Sequence, residues 1–299
     1  MILESSQLPT FSVVVPSYNR PAQIVQMLAA LSEIEYPADR WEVIVVDDGS
    51  QVPLAPAVQN VGMPVRVRCV RQDNSGPGVA RNTAARESEM EYLAFTADDC
   101  IPATDWLLKL ASAFKADGMS RALIGGTVRH ALPNKLCPTA SHLLVEYLKF
   151  TQYKDKPRFF TPNNLAVHRE CFLEVGGFHE AFGPTGEDRE FCARWTTLGN
   201  KIGYEPLAVM DHAHPQSLVG FLRQHFAYGV GSARFRALRD GENQQAVPES
   251  LGFYLRLVLS PLQSEYPAKC RLMVLLLMSQ VVNACGAFTE QFSDADDGR

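Results

Sequence analysis

YLAFTADD, the stretch from Tyr92 to Asp99, decides how this chain is expected to fold. Its first four residues are apolar without alternation, which is typical of a short strand buried on both faces of a parallel sheet. Two adjacent carboxylates, Asp98 and Asp99, follow the strand. Ligands of open α/β sheets bind beyond the carboxyl ends of the strands, and paired carboxylates suit a divalent cation. For the pair alone, a simple turn of aspartates is an equal alternative.

Two earlier apolar runs end in polar clusters in the same way. Phe11–Val15 runs into Pro16-Ser17-Tyr18-Asn19, and Trp41–Val46 runs into Asp47-Asp48-Gly49-Ser50. Between them, apolar residues at helical spacing follow Pro21, which suits the first turn of a helix. Strands that alternate with helices predict an α/β fold with a mostly parallel central sheet flanked by helices. Further strands are predicted at Val65–Val70 and Leu123–Val128, and further helices at Ala80–Glu91, Trp106–Ala116, Ser141–Phe150, Arg169–Val175, Asp188–Leu198 and Ser217–Tyr228.

The composition is that of an ordinary globular protein. The 299 residues are 46% hydrophobic and 20% charged, which argues against disorder and allows a substantial core. The formal net charge of -5, without a long basic run, gives a nucleic-acid partner no electrostatic support. Seven widely spaced cysteines without a C-x-x-C pair, and an N-terminus without the apolar core of a signal peptide, predict a reduced cytoplasmic protein.

The segment Leu272–Phe288 is unusually apolar, although it contains Ser279, Gln280 and Asn283. It falls short of the ~20 apolar residues that span a bilayer comfortably. A buried or in-plane interfacial helix is therefore preferred over a spanning helix, and a peripheral membrane contact is predicted through residues 270–290.

Five short motifs in this order resemble the family 2 inverting glycosyltransferases of the GT-A fold. They are VVVPSYNR at 13–20, VIVVDDGS at 43–50, GPGVARN at 76–82, ADD at 97–99 and TGED at 185–188. The resemblance implies a GT-A, Rossmann-like catalytic domain over residues 8–215, with a donor half at about 8–130 and an acceptor half at about 131–215. A helical C-terminal extension over residues 216–292 would follow it.

The resemblance assigns the donor contacts to residues near strand ends. Tyr18, with Pro16 beside it, and Asp48 would contact the base of a nucleotide-diphospho-sugar, and Asp98 would hydrogen-bond its ribose. Arg81, near a helix start, would meet phosphate or ribose oxygens. Plain structural alternatives exist, because Tyr18 suits a packing role and Asp48 suits a turn.

The resemblance also implies a metal ion and a general base. Asp99 would bind Mn²⁺ or Mg²⁺, with His212 as a further candidate ligand, and the cation would act as a Lewis acid on the departing diphosphate. Ala97 stands where many relatives carry a third acidic residue, so this chain has the shorter Asp-Asp form. Asp188 would be the general base, with Glu187 beside it in the catalytic motif. The alternative is that these two acids only complement a helix N-terminus.

The implied donor is a UDP-, GDP- or dTDP-linked sugar, and the implied acceptor is a glycan or a lipid-linked molecule. The enzyme would be cytoplasmic or peripheral on the inner face of the cell membrane. An inactive, glycosyltransferase-like binding subunit is one alternative, but the carboxylates at positions 48, 98, 99 and 188 argue against it. A sugar-phosphate nucleotidyltransferase is a more distant one, since no Gly-rich loop follows the first strand. The same absence excludes a Rossmann dehydrogenase.

Overall fold

The structure, a computed structural model, describes residues 8–150, 157–183, 185–241 and 249–297. The chain forms two compact units. The first contains the residues up to Arg129, Phe159–Ala181 and Glu190–Ala213, and the second contains His130–Arg158, Phe182–Arg189 and the residues from His214 onward. The sequence KDKPR at 154–158 predicts a mobile loop, which falls largely outside the described residues. The predicted boundary at residue 215 stays a prediction.

Eight strands form one sheet in the described part of the chain. They are β1 (Phe11–Ser17), β2 (Trp41–Asp48), β3 (Arg66–Gln72), β4 (Tyr92–Phe95), β5 (Cys100–Pro102), β6 (Leu123–His130), β7 (Leu165–His168) and β8 (Ile202–His212). The helices are α1 (Pro21–Leu31), α2 (Ala55–Gln59), α3 (Pro77–Glu87), α4 (Trp106–Lys115), α5 (Leu136–Phe150), α6 (Arg169–Glu174), α7 (Glu187–Thr197), α8 (Leu218–Gly241), α9 (Leu251–Leu259) and α10 (Lys269–Asp297).

The sheet has the strand order β3-β2-β1-β4-β7-β6-β8-β5 and is mixed. The strands β3, β2, β1 and β4 are parallel, as the sequence predicts. Antiparallel pairs then join β4 to β7, β6 to β7 and β5 to β8. The α/β class is confirmed, and the parallel strands are grouped on one side of the sheet. A strand that is buried on both faces can pair with a parallel or an antiparallel neighbour. The apolar run at 92–95 therefore did not predict the antiparallel direction of β7.

The core of the first unit lies around the parallel strands. All residues of β2 and β4 are buried, as are six of the seven residues of β1. Apolar side chains of α1 and α4 pack against this region, and Phe11, Tyr92 and Phe114 form a ring cluster with centroids 4.1–6.3 Å apart. The burial fixes the strand ends, and the polar residues that follow them are therefore held in place.

The second unit is helical and is built around α5, α8, α9 and α10. Its core contains apolar residues from all four helices: Ala140, Leu144, Phe221, Leu257, Leu272, Leu275 and Leu276. The backbones of α8 and α10 come close at two glycines. A Cβ on Gly229 would lie 2.0 Å from the Asn283 carbonyl oxygen, and one on Gly286 would lie 2.1 Å from that of Phe226. Glycine at these positions is what allows the two helices to pack so closely.

The predicted apolar segment Leu272–Phe288 lies within α10. Among the described residues, one helical segment, Lys269–Phe292, is long and apolar enough to cross a membrane by length and composition. Only 28% of its most apolar 18 residues are buried. One face of α10 belongs to the core of the second unit, and the opposite face is exposed.

Candidate active site

The two carboxylates after β4 lie in the short connection to β5. Asp98 is buried, with 6% of its surface exposed, and both of its oxygens accept hydrogen bonds. Ser17 Oγ donates to Oδ2 at 2.7 Å, and Arg20 Nη1 donates to Oδ1 at 2.9 Å. The same Arg20 nitrogen lies 3.2 Å from Asp99 Oδ2. The end of β1 and the turn after it therefore hold both aspartates from one side.

The charges in this cluster alter one another's ionisation. Burial raises the pKa of the Asp98 carboxyl above its ordinary value, and the bonds from Ser17 and Arg20 offset this only in part. Burial acts to lower the pKa of Arg20, but the charges of Asp98 and Asp99 outweigh it and the pKa is raised. The guanidinium is thus a permanent positive charge against two acidic groups.

His212 reaches the other side of Asp99 through the pairing of the last two strands. In the antiparallel register of β5 and β8, His212 lies opposite Cys100. Its Nε2 lies 3.3 Å from Asp99 Oδ1, and the Cys100 thiol lies 3.9 Å from the same oxygen. The ligand atoms of Asp99, Cys100 and His212 all lie within 4.8 Å of one another. A carboxylate and an imidazole at this separation could hold one divalent cation such as Mn²⁺. The Cys100 thiol is a poor ligand, because burial raises its pKa well above the ordinary value and metals bind the thiolate.

The two aspartates at the end of β2 have different roles. Asp47 accepts hydrogen bonds from the amides of Ser50 and Leu54 and pairs with Arg71 at 2.7 Å, so it shapes the turn that follows. Asp48 is also buried, and it holds the loop that precedes α3. Its Oδ1 accepts from Gln72 Nε2 at 2.8 Å and from the Ser75 amide at 2.9 Å, and its Oδ2 accepts from the Gly76 amide at 2.9 Å.

Tyr18 and Pro16 lie at the carboxyl end of β1. Pro16 is the sixth residue of the strand and pairs with Val46, and Tyr18 follows the strand with 45% of its surface exposed. This exposure disfavours the packing role for Tyr18. Asn19 has a positive φ of 56° and is fixed by two bonds: its amide donates to Ser50 Oγ, and its side-chain oxygen accepts from the Gln51 amide. The turn that presents the Tyr18 ring is therefore tied to the end of β2.

Arg81 and Asn82 lie in the second turn of α3 and are both buried. The guanidinium of Arg81 stacks over the Phe178 ring, 5.6 Å from its centroid. Asn82 donates to the Phe178 carbonyl and accepts from the Phe178 amide, each at 2.8 Å. The Asn82 side chain thus fastens the segment after α6, and Gly76 rather than Asn82 stands at the N-cap of α3.

Glu187 and Asp188 begin α7 and belong to the second unit. Glu187 is buried and Asp188 is half-buried. Burial, together with the charges of these two acids, raises the pKa of the Tyr228 hydroxyl. The preceding Thr185 donates to the Ala227 carbonyl at 2.7 Å, and a Cβ on Gly231 would lie 2.4 Å from the Thr185 carbonyl. The acidic motif is therefore fixed against α8.

The first unit brings Asp98, Asp99 and His212 together and adds three residues that sequence reasoning missed: Ser17, Arg20 and Cys100. Ser17 and Arg20 flank Tyr18 in the first motif, so their place beside a strand end was a usable signal. Nothing in the sequence pointed to Cys100, because its position depends on the pairing of β5 with β8.

Two family models match the chain. The family described as glycosyl transferase family 2 matches residues 12–176, and the one described as glycosyl transferase family group 2 matches residues 98–288. Among curated proteins, glycosyltransferase AglE of Haloferax volcanii is 29% identical over 242 residues, which cover 76% of this chain and 74% of that protein. The pre-mycofactocin glycosyltransferase of Mycobacterium tuberculosis is 28% identical over 236 residues, and this chain spans about half of its length (47%).

Solved structures share the fold at low sequence identity. A mannosyltransferase from Pyrobaculum calidifontis, solved in complex with GDP-Man and Mn²⁺, superposes with a TM-score of 0.65 at 20% identity, covering 94% of this chain and 88% of that one. Residues 1–349 of TarS from S. aureus, in complex with UDP-GlcNAc, give a TM-score of 0.57 at 15% identity, covering 96% and 92%. The predicted GT-A fold is thus confirmed.

Proposed function

The chain belongs to glycosyl transferase family 2, and we propose that this glycosyltransferase moves a sugar from a nucleotide-diphosphate donor to an acceptor hydroxyl with inversion. The observation that carries the proposal is the cluster at the end of β4. There, two carboxylates lie with a histidine at the carboxyl edge of the parallel strands, where α/β sheets bind their ligands. Donors of this class are bound by the structural neighbours, as GDP-Man and as UDP-GlcNAc.

In this proposal the donor contacts are divided among the strand ends of the first unit. The exposed ring of Tyr18 offers the base a stacking face, and Pro16, two residues earlier at the end of β1, contributes to the same contact. Asp48 accepts from a ring N–H of the base while it holds the loop at 72–76. Asp98 accepts from the ribose hydroxyls, and Arg81 meets the diphosphate from α3. The resemblance to family 2 supports these roles, and the GDP-, UDP- and dTDP-linked sugars are the candidate donors.

Asp99 and His212 would hold Mn²⁺ or Mg²⁺. When bound, such a cation neutralises the charge that develops on the departing diphosphate. The imidazole favours Mn²⁺ over Mg²⁺, because Mg²⁺ is bound almost exclusively by oxygen ligands. The Mn²⁺ in the structures of the mannosyltransferase and of GalNAc-T7 supports the same choice.

Asp188 would act as the general base of the inverting step. Its carboxylate removes the proton from the acceptor hydroxyl as that oxygen attacks the anomeric carbon, and the nucleoside diphosphate leaves from the opposite face. Glu187, buried beside it, would orient the motif. The support is the TGED motif and its anchoring by Thr185 and Gly231, which holds the carboxylate at the start of α7.

The donor site is tested by ligand-induced thermal stabilisation. UDP, GDP and dTDP are each added with and without Mn²⁺, and NAD is the control nucleotide. We expect one diphosphate with Mn²⁺ to raise the melting temperature, because a ligand at ~100 times its Kd adds ~2.7 kcal/mol of stability. The nucleotide that succeeds then selects the sugars to screen for transfer. A flat response to all three diphosphates would overturn the proposed function.

We also propose that the second unit contacts the membrane surface as a peripheral site. On α10, exposed apolar side chains recur at helical spacing along one stripe, namely Val274, Leu277, Val281, Phe288 and Phe292. The exposed cations Lys269 and Arg271 stand at its amino end. A long apolar stripe next to basic residues suits an in-plane helix on an anionic bilayer. This would place the enzyme on the inner face of the cell membrane, near a lipid-linked acceptor.

Vesicle flotation tests the membrane contact. We expect the wild-type protein to float with vesicles that contain anionic phospholipid. The double variant Leu277→Glu/Val281→Glu should bind these vesicles roughly tenfold more weakly. Val52→Glu is the matched control, since Val52 is an exposed apolar residue of the first unit. Equal flotation of the double variant and the wild type would contradict the proposal.

A further inference from the structure

Arg20 forms ion pairs with the two aspartates of the β4–β5 connection, and the backbone on either side of it is constrained. It lies between Asn19, whose positive φ and two hydrogen bonds tie it to the end of β2, and Pro21, the first residue of α1. The Arg20 side chain is 38% exposed, whereas the carboxylates of Asp98 and Asp99 are 5% and 8% exposed. A partly exposed cation thus covers two nearly buried anions.

The ion pairs divide the oxygens of the aspartates between two sides. Arg20 Nη1 donates to Asp98 Oδ1 and to Asp99 Oδ2, and Ser17 Oγ donates to Asp98 Oδ2. Asp99 Oδ1 is the oxygen that faces His212 and Cys100. Of the four carboxylate oxygens, one is therefore directed toward the other candidate ligand, His212. A metal ion at that place would lie close to a guanidinium that cannot lose its proton at any working pH.

From this geometry we propose that Arg20 is a built-in counter-ion that keeps the divalent-cation site weak until a nucleoside diphosphate binds. The proposal deepens the proposed function and rests on it. The positive charge of Arg20 neutralises the acidic pair and repels a second cation nearby, so that the site without donor holds a metal ion poorly. A nucleoside diphosphate adds its own negative oxygens, which attract the metal ion and the Arg20 guanidinium alike. The net charge around the metal ion then becomes favourable for binding. Arg20 is in this sense a positioning residue rather than a ligand.

The missing third acid makes this effect larger. With Ala97 before the pair, two carboxylate charges face one guanidinium charge, so a single negative charge remains for the metal. A chain with another carboxylate at position 97 would retain more negative charge after pairing with Arg20. The metal in the present chain is therefore expected to arrive with the donor, and to leave with the nucleoside diphosphate.

Titration calorimetry with Mn²⁺ tests the proposal on the full chain, with and without the diphosphate that stabilises the wild-type protein. We expect Arg20→Gln to bind Mn²⁺ roughly tenfold or more tightly than the wild type in the absence of nucleotide, because a nearby positive charge is gone. The gain in Mn²⁺ affinity that nucleotide brings should shrink in the same variant. Arg20→Lys keeps the charge and should stay close to the wild type. The control Arg66→Gln removes a cation from the exposed pair with Glu89 and should change neither affinity.

A second measurement distinguishes competition between Arg20 and the metal ion from a purely structural role of Arg20. Without metal, Arg20→Gln should melt at a lower temperature than the wild type, since Asp98 and Asp99 then repel each other without a counter-ion. Mn²⁺ alone should restore the melting temperature of this variant and leave that of the wild type unchanged. Tight Mn²⁺ binding by the wild type without nucleotide, or an unchanged Mn²⁺ affinity in Arg20→Gln, would overturn the proposal. The proposed function fails by a different result, a wild type that no nucleoside diphosphate stabilises.

Discussion

At the scale of single residues, the two aspartates after β4 have different surroundings. Both oxygens of Asp98 accept hydrogen bonds, one from Ser17 and one from Arg20, and burial raises the pKa of its carboxyl. Asp99 directs one oxygen to Arg20 and the other to His212. The surroundings agree with the predicted division in which Asp98 meets the ribose and Asp99 meets the cation, and both roles stay proposals.

Replacing Asp188 with asparagine tests its role in sugar transfer separately from any role in nucleotide binding. The amide is nearly isosteric but cannot accept the proton of the acceptor hydroxyl, so we expect the rate of transfer to fall by ~10²–10⁴-fold. Nucleotide-induced stabilisation should be unchanged, because Asp188 has no donor contact in the proposed site. Asp105→Asn, at an exposed pair with Lys109, is the matched control for loss of one carboxylate. Near-normal transfer by Asp188→Asn would show that another group is the base.

His225 gives the second unit a pH-dependent stability. It is buried in α8 beside Phe221 and Tyr228, and burial lowers its pKa from 6.5 to about 4. The unfolded chain therefore takes up a proton near pH 6.5 while the folded chain does not. Stability from this residue is complete above pH 6.5 and is lost as the pH falls toward 4, by on the order of 3 kcal/mol.

The His225 effect is measured by urea denaturation at pH 7 and pH 5. His225→Phe keeps the ring contacts but cannot be protonated, so the decline in unfolding free energy between these two pH values should be smaller than in the wild type. The variant also loses the contact with Ser141, which lowers stability equally at both pH values. An identical decline in the two proteins would assign the pH dependence to other groups.

At the scale of elements, the close contact of α8 with α10 depends on glycine. Gly229→Ala would force a Cβ to within 2.0 Å of the Asn283 carbonyl oxygen, so the helices must move apart. We expect a loss of roughly 1–3 kcal/mol in unfolding free energy, as in other overpacked cores. Gly220→Ala is the control in the same helix, because its Cβ meets no atom closer than 3.4 Å. It should be neutral or stabilising by up to ~1 kcal/mol. Equal effects of the two changes would show that this contact is not tight.

The elements that sequence predicted well are those whose pattern is local. The strands β1, β2, β3, β4 and β6 and the helix α1 lie where the apolar patterns place them. The strands β5, β7 and β8 were not predicted, because they are short or half-exposed and exist through antiparallel pairing with distant segments. The helix α8 runs to Gly241 instead of ending at Tyr228. The glycines at positions 229 and 231 lie inside this helix, where they allow its close packing against α10 and against Thr185.

The candidate site could be predicted in part for the same reason. Its acidic residues follow predicted strands or open a predicted helix, so their motifs pointed to them directly. The contacts of His212 with Asp99 and with Cys100 depend on the register of β5 with β8. Register between segments more than a hundred residues apart leaves no local pattern.

At the scale of the whole molecule, each compact unit is assembled from three separate pieces of chain. The chain passes from one unit to the other after Arg129, Arg158, Ala181, Arg189 and Ala213. The helix α5 comes early in the chain, but the apolar residues that cover it come from α8 and α10. Neither unit can therefore complete its core from a continuous half of the sequence.

A chain that ends at Pro215 tests this arrangement together with the predicted domain boundary. It retains Ala140 and Leu144 of α5 but lacks the core residues Phe221 and Leu276 that pack against them. We expect this shortened chain to aggregate or to melt without a cooperative transition, whereas a chain that ends at Ser293 should melt sharply. Calorimetry and limited proteolysis measure the difference. A soluble chain of residues 8–215 with a sharp transition would instead favour an independent catalytic domain.

The interleaving of the two units also limits how such an enzyme can evolve. A single recombination event between two related genes exchanges one continuous piece, so it would supply the helices α8–α10 from one parent and leave α5 and the TGED motif from the other. The folding of the second unit of a chimera then depends on whether its three pieces still fit one another. Change in this unit is expected to arise more easily from point substitutions along these three pieces than from the exchange of whole modules.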